Sequence, residues 1–282
     1  MSAPDAPDAP PVWEHVRAPA GAALRSLVTG YSGYRDDAPP PGQEPEIPST
    51  KVPLIIDFGA GWHVATPGSA YRPLPMRGFT GGMCDAPALV EAAGPARCLQ
   101  ANLTPLGARR LLGVPMRELT NRVVDLEDVL GPEAGLLAER LAEAPGWRER
   151  FAIVDDALAR RLARAAPVPR EIEWAWGQLE TSAGATPVGS IGAELGWSRK
   201  RLIAAFREEI GLAPKTSAQV LRFDALVGRL RSAGGRVSWA QLAAECGYFD
   251  QSHLVRDVRR FARTTPTELA ARLAPEAALL SA

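Results

Sequence analysis

The sequence is poor in the residues that build metal sites and covalent cross-links. Only three cysteines and three histidines occur among 282 residues. The cysteines (Cys84, Cys98 and Cys246) are scattered and odd in number, which disfavours a disulfide framework and a cysteine-rich zinc site. The histidines lack the paired spacing of a metal-binding barrel. We therefore expect neither a metal ion nor a cofactor.

Long apolar runs are missing as well. No run approaches the roughly 18 residues that a membrane-spanning helix needs. The N-terminus, MSAPDAPDAPPVW, has no basic segment followed by an apolar one, so a secretory signal is not expected. These features predict a cytoplasmic protein with no membrane partner.

The balanced net charge conceals an uneven distribution. Basic and acidic residues both number 32. Residues 1–170 carry 18 basic and 20 acidic side chains, whereas residues 198–263 carry 13 basic and only 6 acidic ones. The C-terminal third therefore concentrates positive charge, which favours an anionic partner there.

The chain divides at a short segment with two prolines, AAPVPR. We predict a tail at 1–11, an N-terminal domain at 12–165, a linker at 166–170, a C-terminal domain at 171–273 and a C-terminal tail at 274–282. The predicted fold is an α+β N-terminal domain, a small sheet or barrel followed by helices, joined to an all-α C-terminal domain with two helix-turn-helix units.

Strands and helices are predicted in succession within the N-terminal domain. Apolar runs punctuated by Gly and Pro predict strands, and the Pro-rich stretch between them predicts a loop. Apolar residues three and four apart predict helices. The strands are Leu24–Val28, Val52–Phe58, Trp62–Ala65 and Arg97–Leu103; the loop is Asp36–Pro48; the helices are Pro105–Leu112, Pro132–Ala144 and Gly146–Ala165.

An internal repeat occupies the C-terminal third. The segment from Ile191 to Trp197 (IGAELGW) matches the segment from Leu242 to Tyr248 (LAAECGY) at an offset of 51, and the match continues at an offset of 52 after one residue is gained. Each copy predicts a short helix, a Gly-aromatic turn and a second helix. The repeat therefore predicts two helix-turn-helix units. In such a unit the second helix enters the major groove, and here the second helices are 198–210 and 250–262.

The second helices have an apolar face and a cationic face. Helical spacing turns Leu254 and Val258 inward, with Leu202 and Phe206 as their counterparts. Ser198 and Asp250 stand at the N-caps. The predicted DNA-binding residues are Ser198, Arg199, Lys200, Ala204, Arg207, Asp250, Gln251, Ser252, Arg256, Arg259 and Arg263.

The helix Lys215–Arg231 lies between the two units. A continuous helix there would fix their separation, so that one chain could address two successive major grooves about 34 Å apart.

These motifs resemble the AraC/XylS family of bacterial transcription regulators over about residues 171–273. Its most specific part is the run GYFDQSHL at 247–254, with Arg256 and the TTP at 264–266. The resemblance implies seven helices bearing two helix-turn-helix units and a preceding effector-binding or dimerisation domain. Members usually carry Arg at Ala204, so the first unit is expected to read bases less strongly or to contribute mainly apolar and phosphate contacts. They usually carry Phe at Val258 and Gly at Arg263, so some core packing is expected to be lost and positive charge to be added in the second unit.

The function that these motifs predict is sequence-specific binding of double-stranded DNA by a transcription regulator that is not an enzyme. RNA polymerase, a small-molecule effector and a second copy of the chain are further candidate partners.

Two alternatives to this function remain open. One is an enzymatic N-terminal domain of the DNA-repair alkyltransferase type, although only Cys84 and Cys98 are present where that chemistry uses four zinc-binding cysteines. The other is a ligand-binding or oligomerisation domain with a C-terminal module that no longer binds DNA.

An effector pocket is the remaining candidate site. Aromatic walls with few polar groups are typical of small-molecule sites. The residues predicted to line it are Trp62, His63, Tyr71 and Arg72, with Trp13 and His15 as further candidates. Core packing is the alternative interpretation of the same residues.

Overall fold

The computed structural model describes residues 12–66, 75–233 and 238–279. The predicted tail at 1–11 and the pocket candidates Tyr71 and Arg72 lie outside these ranges. Within them, a β-rich N-terminal part precedes a helical C-terminal part, as predicted.

Two antiparallel sheets form the N-terminal part. The first has six strands in the order β1-β2-β8-β4-β6-β9, and the second has three in the order β3-β7-β5. The strands are β1 Trp13–Ala18, β2 Val28–Asp36, β3 Glu44–Glu46, β4 Val52–Asp57, β5 Trp62–Ala65, β6 Gly78–Gly81, β7 Ala88–Ala92, β8 Ala96–Leu103 and β9 Val123–Asp125.

The two faces of the six-stranded sheet have different partners. Alternate residues of a strand point to opposite faces. In β8, Leu99 and Leu103 are buried in the main core, whereas Cys98, Gln100 and Asn102 line a cavity. One face therefore packs on helices, and the other faces a space shared with the second sheet.

Four helices complete the N-terminal part: α1 Pro105–Leu112, α2 Leu126–Leu130, α3 Glu133–Glu143 and α4 Trp147–Leu162. A 3-10 turn at Met116–Glu118 follows α1. The side chain of Thr104 caps α1 by accepting from the Gly107 N–H at 3.0 Å, as the Thr-Pro pair predicted. The helices predicted at Pro132–Ala144 and Gly146–Ala165 correspond to α3 and α4.

The strand predicted at Leu24–Val28 is wrong. Hydrogen-bonded turns run through this segment, with the Leu27 N–H donating to the Leu24 carbonyl at 2.8 Å, and β2 begins only at Val28. The Leu27 carbonyl accepts instead from the Thr104 N–H at 2.8 Å, at the start of α1. A short apolar run without alternation does not distinguish a buried turn from a strand.

The loop predicted at Asp36–Pro48 contains a strand, so this prediction is wrong for part of its length. Glu44–Glu46 pairs with β7 at the edge of the smaller sheet, with Pro45 opposite Leu89. An edge strand tolerates proline because its outer N–H groups need no partner. Proline at the centre of so short a segment therefore concealed the strand.

The C-terminal part has seven helices within the described residues: α5 Arg170–Thr181, α6 Val188–Glu194, α7 Arg199–Glu209, α8 Pro214–Ser232, α9 Trp239–Glu245, α10 Gln251–Ala262 and α11 Pro266–Leu279. Helix α8 is central, and its Phe223 ring lies 5.2 Å from that of Phe261 in α10. The helix predicted at Lys215–Arg231 is this one. Helix α11 continues to Leu279, so it includes the first six residues of the predicted tail at 274–282.

The loop before α6 approaches α8 so closely that it requires glycine. Gly184 has a φ of +78°, and a Cβ there would lie 2.1 Å from the Ala218 carbonyl oxygen.

Of the helices within the described ranges, none combines the length and apolar character that a membrane-spanning segment needs.

Candidate nucleic-acid interface

The first helix-turn-helix unit consists of α6 and α7. Gly196 turns the chain with a φ of +62°, and the Trp197 N–H donates to the Gly192 carbonyl at 2.9 Å. Ser198 caps α7, its side-chain oxygen accepting from the Arg201 N–H at 3.3 Å. The predicted N-cap and turn are therefore present.

The second unit, α9 and α10, repeats this arrangement. Gly247 has a φ of +73°, and the Tyr248 N–H donates to the Ala243 carbonyl at 2.8 Å. Asp250 caps α10, accepting from the His253 N–H at 2.7 Å. Equivalent residues thus make equivalent backbone contacts in both units.

Both second helices bury their apolar face and expose the opposite one. Leu202 and Phe206 of α7 and Leu254, Val258 and Phe261 of α10 are buried. The predicted DNA-binding side chains are all exposed to solvent, namely Ser198, Arg199, Lys200, Ala204, Arg207, Asp250, Gln251, Ser252, Arg256, Arg259 and Arg263. An exposed row of arginines can reach base edges and phosphates without breaking a core contact.

Ion pairs connect the ends of both second helices to the N-terminal part. Glu208 in α7 pairs with Arg117. Arg260 in α10 lies 2.6 Å from the Asp85 carboxylate and also donates to the Gln219 side chain at 3.1 Å. The exposed faces are therefore held in place by a domain that does not belong to the repeat.

Asp85 is itself held by Asn121. The Asn121 side-chain amide donates to Asp85 at 2.8 Å, and its oxygen accepts from the Asp85 N–H at 2.9 Å. Asn121 therefore fixes both the carboxylate that meets Arg260 and the backbone of Asp85, with one hydrogen bond to each. We did not predict Arg260 or Asp85 from the sequence. Only the position of Arg260, equivalent to that of Glu208 in the repeat, could have indicated a common role.

A cavity of about 600 Å³ lies between the two sheets, and α8 closes one side. Its inner wall is mainly apolar, with a few hydroxyl and amide groups. Residues that line it include Ser32, Tyr34, Ile55, Trp62, Val64, Phe79, Val90, Gln100 and Asn102 from the sheets, and Asp224, Val227 and Arg231 from α8. The C-terminal part therefore forms one wall of the cavity.

The predicted pocket residues lie in different places. Trp62 lines the cavity and donates its indole N–H to Asp57 at 3.0 Å. Burial raises the pKa of Asp57 to about 6. His15 also lines the cavity, and burial together with Arg17 lowers its pKa. His63 and Trp13 are not among the lining residues.

Two cysteines line the cavity as thiols. Cys84 and Cys98 are free, and burial raises the pKa of Cys84 to about 11 and that of Cys98 further. A raised pKa keeps a thiol protonated at neutral pH and therefore weakens it as a nucleophile. Within the described ranges, no group of three or more His, Cys, Asp or Glu side chains is arranged to hold a metal ion.

Comparison with known families identifies the helical part. Residues 191–272, which contain α7 to α10 and all but the first three residues of α6, match a family model described as a helix-turn-helix domain. Residues 191–272 form an AraC-type helix-turn-helix domain. No curated protein sequence matches the chain.

Solved structures of ToxT from Vibrio cholerae share the two-part fold. The apo form of a ToxT variant from strain SCE256 has 10% sequence identity and a TM-score of 0.50, covering 91% of this chain and 100% of that one. Another ToxT structure has 10% identity and a TM-score of 0.51, with 85% and 97% covered. Unsaturated fatty acid bound wild-type ToxT has 10% identity and a TM-score of 0.50, with 85% and 94% covered.

The helix-turn-helix domain at residues 191–272 supports a DNA-binding transcription regulator, a class of protein that is in general not enzymatic. The domain departs from the family pattern where the sequence indicated. Ala204 is exposed on α7, and Val258 is fully buried. Arg263 ends α10 in the left-handed conformation with a φ of +54°, which explains why glycine is usual there.

Proposed function

We propose that the chain is a sequence-specific regulator that reads two successive major grooves with α7 and α10. The observation that carries this proposal is the repeat of two capped helices, each with an exposed cationic face and a buried apolar face. Helix α8 packs against both, so their separation is fixed within one chain. Arginines on such faces bond guanine edges and neutralise phosphates.

The salt dependence of binding tests this proposal. Duplexes are first selected from a random library with the full chain, and the Kd is then measured at several salt concentrations. The slope of log K against log salt is negative, and each lost phosphate contact reduces its magnitude by about 1. We expect Arg259→Ala to reduce the magnitude by about that amount. Arg148→Ala, which removes an exposed arginine from α4, is the matched control and leaves it unchanged. Failure to select any duplex contradicts the proposal.

The cavity is the proposed effector site. Its volume and apolar inner wall suit an elongated, mainly apolar molecule with one polar end. The fatty acid bound to ToxT is a molecule of this kind, in a protein of the same fold. Among the charged residues that line the cavity here, the acidic Glu44, Glu46, Glu91 and Asp224 outnumber the basic Lys51 and Arg231. We therefore expect a neutral polar end to bind at least as well as a carboxylate.

Binding of palmitoleate, which has a carboxylate, and of palmitoleyl alcohol, which has a neutral hydroxyl, tests which polar end the cavity prefers. Titration is followed by tryptophan fluorescence, since Trp62 lines the cavity. The expected result is saturable binding, with the alcohol at least as tight as the acid. Val64→Phe, which narrows the cavity without adding a tryptophan, should weaken it. Absence of saturable binding by both compounds contradicts an apolar effector, whereas tighter binding of the acid contradicts the argument from charge.

An occupant would act on DNA binding through Asp85. Cys84 and Ala86 line the cavity on either side of it, and Asp85 holds Arg260 of α10. A change in cavity occupancy therefore has a direct route to the second reading helix through Asp85, besides the wall that α8 forms. We expect Asp85→Asn to abolish any effect of the alcohol on the Kd for DNA, whereas Asp156→Asn, an exposed aspartate on α4, preserves it. An unchanged response in Asp85→Asn contradicts this route.

A further inference from the structure

The turn of the second unit contains one residue more than that of the first. In the first unit only Trp197 separates the turn glycine from the N-cap, whereas Tyr248 and Phe249 do so in the second. Tyr248 occupies the place of Trp197, because its N–H makes the equivalent hydrogen bond to the preceding helix. Phe249 is therefore the residue gained between the two copies of the repeat.

The added side chain is left in solvent. Phe249 is 93% exposed, compared with 60% for Leu136 and 49% for Trp13, the next most exposed large apolar residues in the described part of the chain. Its neighbours Asp250 and Gln251 are polar and exposed. A single ring among polar groups is too small to form a protein-docking patch. Its position therefore matters more than its area.

Phe249 lies at the end of α10 that enters the groove. It directly precedes Asp250, the N-cap, and the first residues of a reading helix are those that contact base edges. Among the groups that base pairs present in the major groove, the thymine C5-methyl is the apolar one. A ring carried on the turn can meet that methyl without displacing the arginines farther along α10.

We propose that Phe249 reads a thymine at the edge of the second half-site through contact with its methyl group. This inference rests on the proposed DNA-binding function, which it extends to a specific base. It assigns a specificity role to the one residue by which the turns of the two units differ in length. The contact is uncharged, so it should affect affinity without affecting the salt dependence.

Replacement of thymine by deoxyuridine tests the contact directly, because it removes only the methyl group. Each thymine of a duplex selected by the full chain is replaced in turn. The expected result is that one replacement weakens wild-type binding about fourfold, the contribution of one buried methyl group. Phe249→Ser should bind the unmodified duplex on the order of tenfold more weakly, show no loss at that position and keep the wild-type salt slope. Leu136→Ser is the control and should behave as wild type.

The outcomes separate the inference from the function on which it rests. If the wild type selects no duplex, the proposed function fails. If it selects one but no deoxyuridine replacement matters, or if Phe249→Ser retains the same loss, the thymine contact is contradicted. Phe249→Gln provides a second variant with a larger polar side chain, and it too should lose the response to the methyl group.

Discussion

The two helix-turn-helix units share one architecture but differ in chemistry at equivalent positions. At the offset of 52, Ala204 corresponds to Arg256, and Glu208 corresponds to Arg260. Glu208 and Arg260 both form an ion pair with the N-terminal domain, but Glu208 is the acidic partner and Arg260 is the basic one. The backbone contacts of the unit were kept, whereas the exposed side chains and those that meet the neighbouring domain differ between the copies. From this difference we expect the second unit to contribute most base reading and the first to serve more as a support.

The largest expected difference between the units concerns stability. Phe206 and Val258 occupy equivalent core positions, and both are fully buried. Phe206→Ala should lower the free energy of unfolding by about 3–5 kcal/mol, because a large cavity is left behind, and Val258→Ala by about 2 kcal/mol. Urea unfolding of both variants measures this. Equal losses of unfolding free energy would contradict the expectation that Phe206 contributes more to its core than Val258 does.

Base reading should show the opposite asymmetry. Arg256→Ala should weaken DNA binding by about 1–3 kcal/mol and relax base choice in one half-site. Ala204→Arg introduces the equivalent side chain into the first unit and should strengthen binding by a similar or smaller amount. Kd values for selected and mismatched duplexes measure both effects. If Arg256→Ala changed neither affinity nor base choice, the second unit would not be the main reader.

The ion pairs with the N-terminal domain should differ in strength. Asp85 is held by Asn121, and Arg260 is also bonded to Gln219, so this pair is preorganised. We expect a double-mutant cycle of Asp85→Asn and Arg260→Gln to give a coupling of about 1 kcal/mol. The same cycle on Arg117 and Glu208, which form a more exposed pair, should give about half as much. A larger coupling in the Arg117 cycle would reverse this order.

The smallest expected effect concerns the residue that ends each reading helix. Gly211 follows α7 with a φ of +101°, and the equivalent residue after α10 is Arg263, also left-handed. Arg263→Gly should raise the free energy of unfolding by about 0.5–1 kcal/mol because the strain is removed, while it weakens DNA binding through loss of a phosphate contact. Gly211→Ala should destabilise, since its Cβ would lie 2.8 Å from the Thr120 hydroxyl oxygen. Unchanged DNA affinity in Arg263→Gly would remove Arg263 from the interface.

The sequence was most informative where structure is local. Each of these features acts within a few residues: the Thr104-Pro105 pair, the caps at Ser198 and Asp250, and the turn within each copy of the repeat. Their patterns could therefore be interpreted directly. The segment Leu24–Val28 could not, because its turns are stabilised by contact with a helix start far along the chain. A pattern of neighbouring residues does not reveal a contact with a residue so distant in the sequence.

The cavity was the least predictable feature. Trp62 was proposed as a pocket residue, but nothing in the sequence brings it near α8, which lies about 160 positions later in the chain. Pairing of strands distant in sequence creates this wall, and the packing of α8 closes it. The contact between Asp85 and Arg260 has the same origin. Such contacts depend on the complete topology and not on a motif.

Hydroxyl-radical footprinting on a selected duplex tests the central claim most directly. The account holds that one chain presents two reading helices, held at fixed separation by α8, to the same side of the DNA. It predicts two protected segments centred about 10 base pairs apart on one face, of which Arg256→Ala weakens one. A single protected segment, or two segments on opposite faces of the duplex, would contradict it.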